Sequence, residues 1–524
     1  MAARHQATGR ESPIPLLGAG AFALVWIAAR AWTQSITIDE ADTYLAFARP
    51  DWPAHWVQHA NNHVLNSALM RLATMIFGAS VWTIRLPAMA GAALYIACIH
   101  YLARFLFERT FPALCLFTCL VFNPFVMDYL VAARGYSLAL GLMALAWAVA
   151  AHLMTLAPAE RANRLAARGA LISVSLALSF CANFSFGIAD GVSVATLACW
   201  ALRGQIAGRV KALAAFVAPG LAAAAVLAGP VVWAWPRDQM EFGASSLSGT
   251  LISVLKDSLY EPNAYLLHPV WREWLARHSR YLFPALGAAL LLRVAALLRG
   301  GAEGSEASRR GRQLAFLCAA TLTLTLAGLE ILHLAVDMRL PVDRRALYVA
   351  PLCLLMAGGV AAIPIATRLG RASGAAMTGA LALVALYSLT CLRLTYFKEW
   401  LWDADAKVAY GAVAYYNSAY GVTEISCDWR YYAALRAYQA LSGRENLKAI
   451  HERFPGSAGE SESFPLYVLN AASDGAFPDR EKLKVVYRSA WTGTIVAIRP
   501  EVEAAGPCRQ PGAGSLNSAP RPGG

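Results

Sequence analysis

The sequence predicts a mainly α-helical, polytopic membrane protein. It is expected to be a helix bundle of about eleven spans, with amphipathic interfacial helices in the first outer loop and a small C-terminal extracytoplasmic α/β domain. Three observations predict it. Of 524 residues, 58% are hydrophobic and 15% charged, where soluble domains carry roughly 25% charged residues, and the mean hydropathy is +0.45. Apolar runs long enough to cross a hydrocarbon core, roughly 20 residues, recur along most of the chain. Basic residues collect in alternate short connections between those runs, as expected of cytoplasmic loops. A soluble multidomain chain and a disordered one are both excluded. The excess of 45 Lys+Arg over 33 Asp+Glu gives +12, yet those charges lie between apolar runs, so a nucleic-acid partner is not expected and the lipid bilayer is.

The first span, Pro15–Trp32, follows Arg4 and Arg10 and is trailed by no small-residue cleavage site, so it reads as a retained helix rather than a signal peptide. Val81–Phe107, Phe111–Met127, Ser137–Met154, Ala170–Phe184, Gly187–Leu202 and Ala212–Trp235 follow. Tyr281–Leu298, Leu314–Val336, Leu347–Ile365 and Ala375–Thr395 complete the set. A cytoplasmic N-terminus in the inner (plasma) membrane places Arg104/Arg109, Arg161/Arg164/Arg168, Arg203/Arg209/Lys211, Arg299/Arg309/Arg310/Arg312 and Arg368/Arg371 inside. It places Thr33–Ser80, Asp128–Tyr136, Pro236–Arg280, Asp337–Ala346 and everything after Tyr396 outside.

Domain boundaries follow: 1–395 as the transmembrane part, 396–500 as the outer domain, and 501–524 as a Pro/Gly/Ala-rich disordered tail. In the outer domain, Lys407–Tyr420 and Trp429–Leu441 have helical spacing. Thr423–Cys427, Pro465–Asn470, Lys484–Arg488 and Thr494–Arg499 read as strands. Its aromatics Trp429, Tyr431, Tyr432 and Tyr438 fit the domain's own core better than a ligand surface. Most cysteines fall in apolar runs, where they act as small hydrophobes. Cys427 and Cys508 alone lie outside, where a bridge is conceivable but not favoured. There is no zinc spacing, Walker loop, GxGxxG or internal repeat.

Three stretches carry candidate chemistry. Asp39, Glu40 and Asp42 follow the first span directly, and carboxylates so near hydrocarbon need solvent, a partner or a cation; a solvated helix start is the simplest alternative. His59, Asn61, Asn62, His63 and Asn66 lie further along the same loop. They lead into Leu65–Phe77, whose spacing suits an interfacial helix. Such a set of acids, imidazole and amides suits a hydroxyl-rich ligand or a hard cation. The second stretch, Asn123-Pro124 to Asp128 and Arg134-Gly135-Tyr136-Ser137, is a short outer turn; Arg134 either snorkels to lipid phosphates or binds a ligand. The third, Arg339, Arg344 and Arg345 before Tyr348, sets arginines on the outer side against the positive-inside trend, and guanidinium forks suit phosphate oxygens. Asp190, Glu330 and His333 lie within spans and Asn183 at a span end, a pattern also seen in transporters.

In order and membrane side these motifs resemble the GT-C superfamily of polytopic glycosyltransferases, which use polyprenyl-phosphate-linked sugars. Those related to protein O-mannosyltransferases and to the lipid A aminoarabinose transferases (family 39-related) are the most similar in look. The resemblance is carried by Asp39-Glu40, Asn62-His63-Val64-Leu65, Phe77-Gly78 with Arg85-Leu86-Pro87, and Asn123-Pro124. It continues through Ala133-Arg134-Gly135-Tyr136-Ser137-Leu138 and Arg345 to Tyr348 with Pro351. It implies a hexosyl- or pentosyltransferase acting outside the membrane, with Asp39 as the catalytic acid residue of the loop and Glu40 beside it. Asn62, His63, Asp128, Arg134, Tyr136, Arg344, Arg345 and Tyr348 are implied to bind substrate, the arginines through the donor phosphate. The donor would be a polyprenyl-phosphate sugar, the acceptor an envelope glycan, lipid or protein. Two Ala residues, Ala132 and Ala133, directly precede Arg134 where relatives often carry an acid, and the nearest acid is Asp128; the resemblance therefore does not extend to a two-carboxylate metal site, and a divalent metal ion is left as an alternative only. A flippase or exporter of an anionic lipid or glycan, or a non-catalytic scaffold, are the other expectations.

Overall fold

The computed structural model describes residues 11–50, 57–59, 61–203, 208–234, 243–300, 304–454 and 463–507. They divide into two compact units. One comprises Met1–Thr33 and Thr43–Leu394, the other Gln34–Asp42 and Thr395–Gly524. Cys508, the second partner of the conceivable bridge, lies outside the described residues.

The first unit is helical. Among the described residues, ten helices are long and apolar enough to cross a membrane: Ile14–Thr33, Val81–Leu106, Tyr136–Thr155, Pro158–Ala182, Phe184–Ala201, Arg209–Leu227, Pro269–Gly300, Glu306–Val336, Asp343–Ala361 and Arg368–Thr390. The chain is a multi-pass membrane protein. The expected span Phe111–Met127 differs. Its first part is a shorter helix, Thr110–Val121, and a new helix, Pro124–Tyr129, starts behind it. The break has a local cause: Asn123 Oδ1 accepts the Phe125 N–H at 3.0 Å, and Pro124 lacks the N–H that a continuous helix needs there.

Within the bundle, small residues let backbones touch, as helices in lipid require for close packing. A Cβ on Gly91 would stand 2.5 Å from Leu138 N, and Ser137 Oγ donates to Ala88 O at 2.6 Å, so Val81–Leu106 and Tyr136–Thr155 cross in near-van der Waals backbone contact. A buried ion pair fixes a third element: Arg30 Nη2 meets Asp128 Oδ1 at 2.6 Å, and the Tyr260 hydroxyl donates to Asp128 Oδ2 at 2.7 Å. The helix Val64–Phe77 buries Asn66, Ser67 and Met70 while Leu72, Met75, Ile76 and Phe77 are exposed. Val64 is buried with Asn66, Ser67 and Met70, and the exposed apolar end of the helix fits an interfacial position.

The second unit carries a five-stranded sheet, ordered β2-β1-β3-β5-β4. β1 (Glu424–Asp428) runs parallel to β2 (Ala449–Arg453) and β3 (Leu466–Asn470). β5 (Thr494–Ile498) is antiparallel to β3 and to β4 (Lys484–Arg488). β3 and β5 are buried along their whole length, as strands covered on both faces must be. Helices Ala406–Tyr420 and Trp429–Ser442 belong to this unit. Tyr431 and Tyr438 are buried, as the core assignment expects, whereas Trp429 is exposed. β2 has no counterpart in the sequence-based expectation, and a short helix, Pro500–Ala504, occupies the start of the expected tail.

Candidate functional site

The acidic segment belongs to the second unit, and its chain is gripped residue by residue. Ser35 Oγ donates to Ala404 O at 2.7 Å, the Ile36 N–H to the Tyr438 hydroxyl at 3.0 Å, and the Ile38 N–H to Asp403 Oδ2 at 2.8 Å. Thr37 and Glu40 form a reciprocal cap on the short helix Ile38–Thr43. The Glu40 N–H donates to Thr37 Oγ1 at 3.1 Å, and the Thr37 N–H to Glu40 Oε2 at 3.0 Å. This is a capping box, with the acid three residues past the threonine. Glu40 is therefore wholly buried and committed to the helix start, while Asp39 is half-buried and Asp42 exposed.

Asp403, absent from the sequence-based set, is buried beside them, and its Oδ1 has no hydrogen-bond partner among the described residues. Burial pushes its carboxyl well above the usual carboxylate range. The Ile38 N–H opposes that shift, and the negative charges of Asp39, Glu40 and Asp42 add to it. Burial thus favours the protonated form of Asp403, which can donate a hydrogen bond as well as accept one.

A basic and aromatic cluster belongs to the first unit. Its centre is the turn Ala133-Arg134-Gly135. Asn66 Nδ2 donates to Ala133 O and Asn183 Nδ2 to Arg134 O, both at 3.2 Å. Gly135 has φ 77°, and a Cβ there would lie 1.9 Å from Ala182 O, so no other residue fits. The turn aims Arg134, 2% exposed, so that Nη1 donates to Thr43 Oγ1 at 2.5 Å and Nη2 to Asn61 Oδ1 at 3.3 Å.

His63, buried, packs edge-on against Tyr136 and Phe184, with ring centroids 6.1 Å apart in each case. Burial first, then the positive charges of Arg134 and Arg344, hold its imidazole well below the usual histidine range; Nδ1 has no hydrogen-bond partner among the described residues. His63 is neutral at physiological pH. Arg345 lies within electrostatic range of Tyr136, Tyr129 stacks at a tilt on Tyr136 at 4.9 Å, and Tyr348 packs against Phe186 at 5.4 Å.

The first unit therefore brings His63, Arg134, Tyr136, Arg344 and Arg345 together, with Tyr348 one ring further on. Asn62 is structural, with Nδ2 donating to Val57 O at 3.1 Å and Oδ1 accepting from Ser67 Oγ at 3.0 Å. Asp128 meets Arg30 and Tyr260, and its charge also reaches Tyr129 beside Tyr136. Asn66, one of the loop's candidate residues, and Asn183, the span-end residue, hold the backbone of the Ala133-Arg134-Gly135 turn, and Tyr129 joins the cluster from outside the sequence-based set. Among the described residues, no three His, Cys, Asp or Glu side chains converge in a group able to hold a metal ion.

The structure of ArnT from Cupriavidus metallidurans bound to undecaprenyl phosphate is similar at 12% identity and a TM-score of 0.49, over 93% of this chain and 97% of that one. The apo state of the same protein is similar at 14% identity and a TM-score of 0.44, again over 93% and 97% of the two chains. No family model matches the sequence, and no curated protein does.

Proposed function

We propose that the protein is an integral membrane glycosyltransferase that moves a sugar from a polyprenyl-phosphate donor to a hydroxyl acceptor at the extracytoplasmic face. The observation that carries this reading is the gathering of Arg134 and Arg344 around a neutral, buried His63. Guanidinium groups drawn from distant parts of the sequence concentrate positive charge where a dianionic leaving group needs it, and their forks suit phosphate oxygens. Neutral His63 adds no charge beside the two arginines.

Transfer also needs a base for the acceptor hydroxyl. Asp39 takes that role: it is half-buried, held at a helix start, and close to Asp403, whose neutral form burial favours. Glu40 positions it through the Thr37 cap, and a single in-line displacement inverts the anomeric centre. The acceptor is an envelope glycan, lipid or protein, the sugar a hexose or pentose, the N-terminus cytoplasmic and the C-terminal unit extracytoplasmic. The positive-inside pattern supports that orientation.

The test is to reconstitute the purified full chain in lipid nanodiscs with a labelled polyprenyl-phosphate sugar and a solubilised envelope fraction. Label on an acceptor, with release of polyprenyl phosphate, is the expected result. Label moved between leaflets without cleavage assigns a flippase instead, and neither outcome assigns a scaffold.

A further inference from the structure

Asp190 takes no part in the site above. It lies in the first turn of the helix Gly187–Ala201, is 3% exposed, and neither carboxylate oxygen has a hydrogen-bond partner among the described residues. The Ser179 hydroxyl stands beside it and donates to Ala139 O at 3.1 Å, so one proton is shared between that carbonyl and the carboxyl. Cys181 and Tyr348 are close enough to feel its charge, and no basic side chain lines its surroundings.

Those surroundings are a cavity of about 240 Å³ whose walls include Ser173, Phe180, Gly191, Phe216 and Gly220. Its wall runs from Ser173 to Phe180, seven residues of one helix or roughly 10 Å. Ser173 Oγ accepts the Gly220 N–H at 3.0 Å and keeps its own hydroxyl proton; Asp190 is the acid that lines the cavity. Val217 and Leu221 at the edge are exposed, so the cavity opens on the hydrocarbon side of the unit. A cavity this small is below the size of drug-binding pockets and takes a single chain.

We infer that this cavity is an intramembrane binding site for a single-chain aliphatic amine, with the ammonium on Asp190 and the chain along the apolar walls. An acyl chain of bulk lipid fills the walls but leaves a buried carboxyl without a polar partner, which is costly. An alcohol offers one donor and no charge. An amine takes up the carboxyl proton and becomes an ammonium with three donors, which bonds both oxygens and balances the charge created.

The experiment uses the full chain in nanodiscs and dicyclohexylcarbodiimide, an apolar reagent for carboxyl groups. The carboxyl oxygen bonds to the carbodiimide carbon and the carboxyl proton passes to its nitrogen. Peptide mapping should find one adduct within residues 187–201. Dodecylamine should suppress that adduct at a concentration about tenfold lower than dodecanol needs, as a charged hydrogen bond over a neutral one implies. Asp190→Asn should remove the adduct from that peptide; should this variant fail to fold, the two titrations on the wild type decide alone. No adduct at Asp190, or equal suppression by amine and alcohol, overturns the inference. No sugar is transferred in this assay, so its outcome is independent of the glycosyltransferase reading.

Discussion

Asp39 and Glu40 are neighbours in sequence with different surroundings. Glu40 accepts the Thr37 N–H through one carboxylate oxygen, a task that an amide oxygen performs nearly as well. Glu40→Gln should therefore keep at least about a tenth of the transfer rate, and Thr37→Ala should lower unfolding stability by about 1 kcal/mol through loss of a cap. Asp39→Asn should behave oppositely, folding normally but losing transfer. Thermal unfolding of the solubilised proteins beside their transfer rates checks both.

Two buried titratable groups give opposite pH slopes. His63 stays neutral in the fold while an unfolded histidine gains a proton near pH 6.5, so its share of stability is present above about 6.5 and lost as pH falls below it. Asp403 is raised, so its share is fullest below about pH 4, the unfolded value, and declines as pH rises toward the folded value. Asp403→Asn, which keeps an acceptor for the Ile38 N–H, should flatten the decline on the alkaline side. Unfolding temperature against pH for wild type and variant reads this directly.

At the scale of elements, close backbone crossings hold the bundle. Gly91→Val should disrupt the pair Val81–Leu106 and Tyr136–Thr155, since even a Cβ would sit 2.5 Å from Leu138 N. Overpacking of this kind typically costs about 1–3 kcal/mol, and a lowered unfolding temperature of the solubilised protein is the expected readout. The spans were legible in the sequence because hydrocarbon demands long apolar runs with all backbone groups bonded internally. The break at Asn123-Pro124 was written there too, as an N-cap followed by proline at the first helical position, but hydropathy runs straight through it. β2 was not legible: Ala449-Ile450-His451-Glu452-Arg453 is a polar edge strand with one large aliphatic side chain, and its partner β1 is more than twenty residues away. The Thr37-x-x-Glu40 spacing is that of a capping box, and it is legible from the sequence alone. Asp403 could not be found from local pattern, because what marks it is burial against a segment some 360 residues earlier.

At the scale of the whole molecule, the chain is divided unevenly: the nine residues Gln34–Asp42 are grouped with the C-terminal unit although they follow the first span. Their holders, Tyr396, Ala404, Asp403 and Tyr438, all lie beyond the last membrane-crossing helix. Removing residues 396–524 should thus abolish transfer even though Asp39 and every arginine of the cluster remain, and the remaining helical unit should still extract as a monodisperse species. The acceptor chemistry was not legible at any scale, since no residue pattern in the C-terminal unit distinguishes a glycan, a lipid or a protein.

The most direct measurement is single-turnover transfer from a labelled polyprenyl-phosphate sugar to the envelope fraction, comparing wild type with Asp39→Asn. Label should leave the lipid for an acceptor in the wild type and slow by about 10²–10⁴-fold in the variant, the range for loss of a general base. Label that stays on the lipid in the wild type, or leaves it at the same rate in both proteins, would contradict the account.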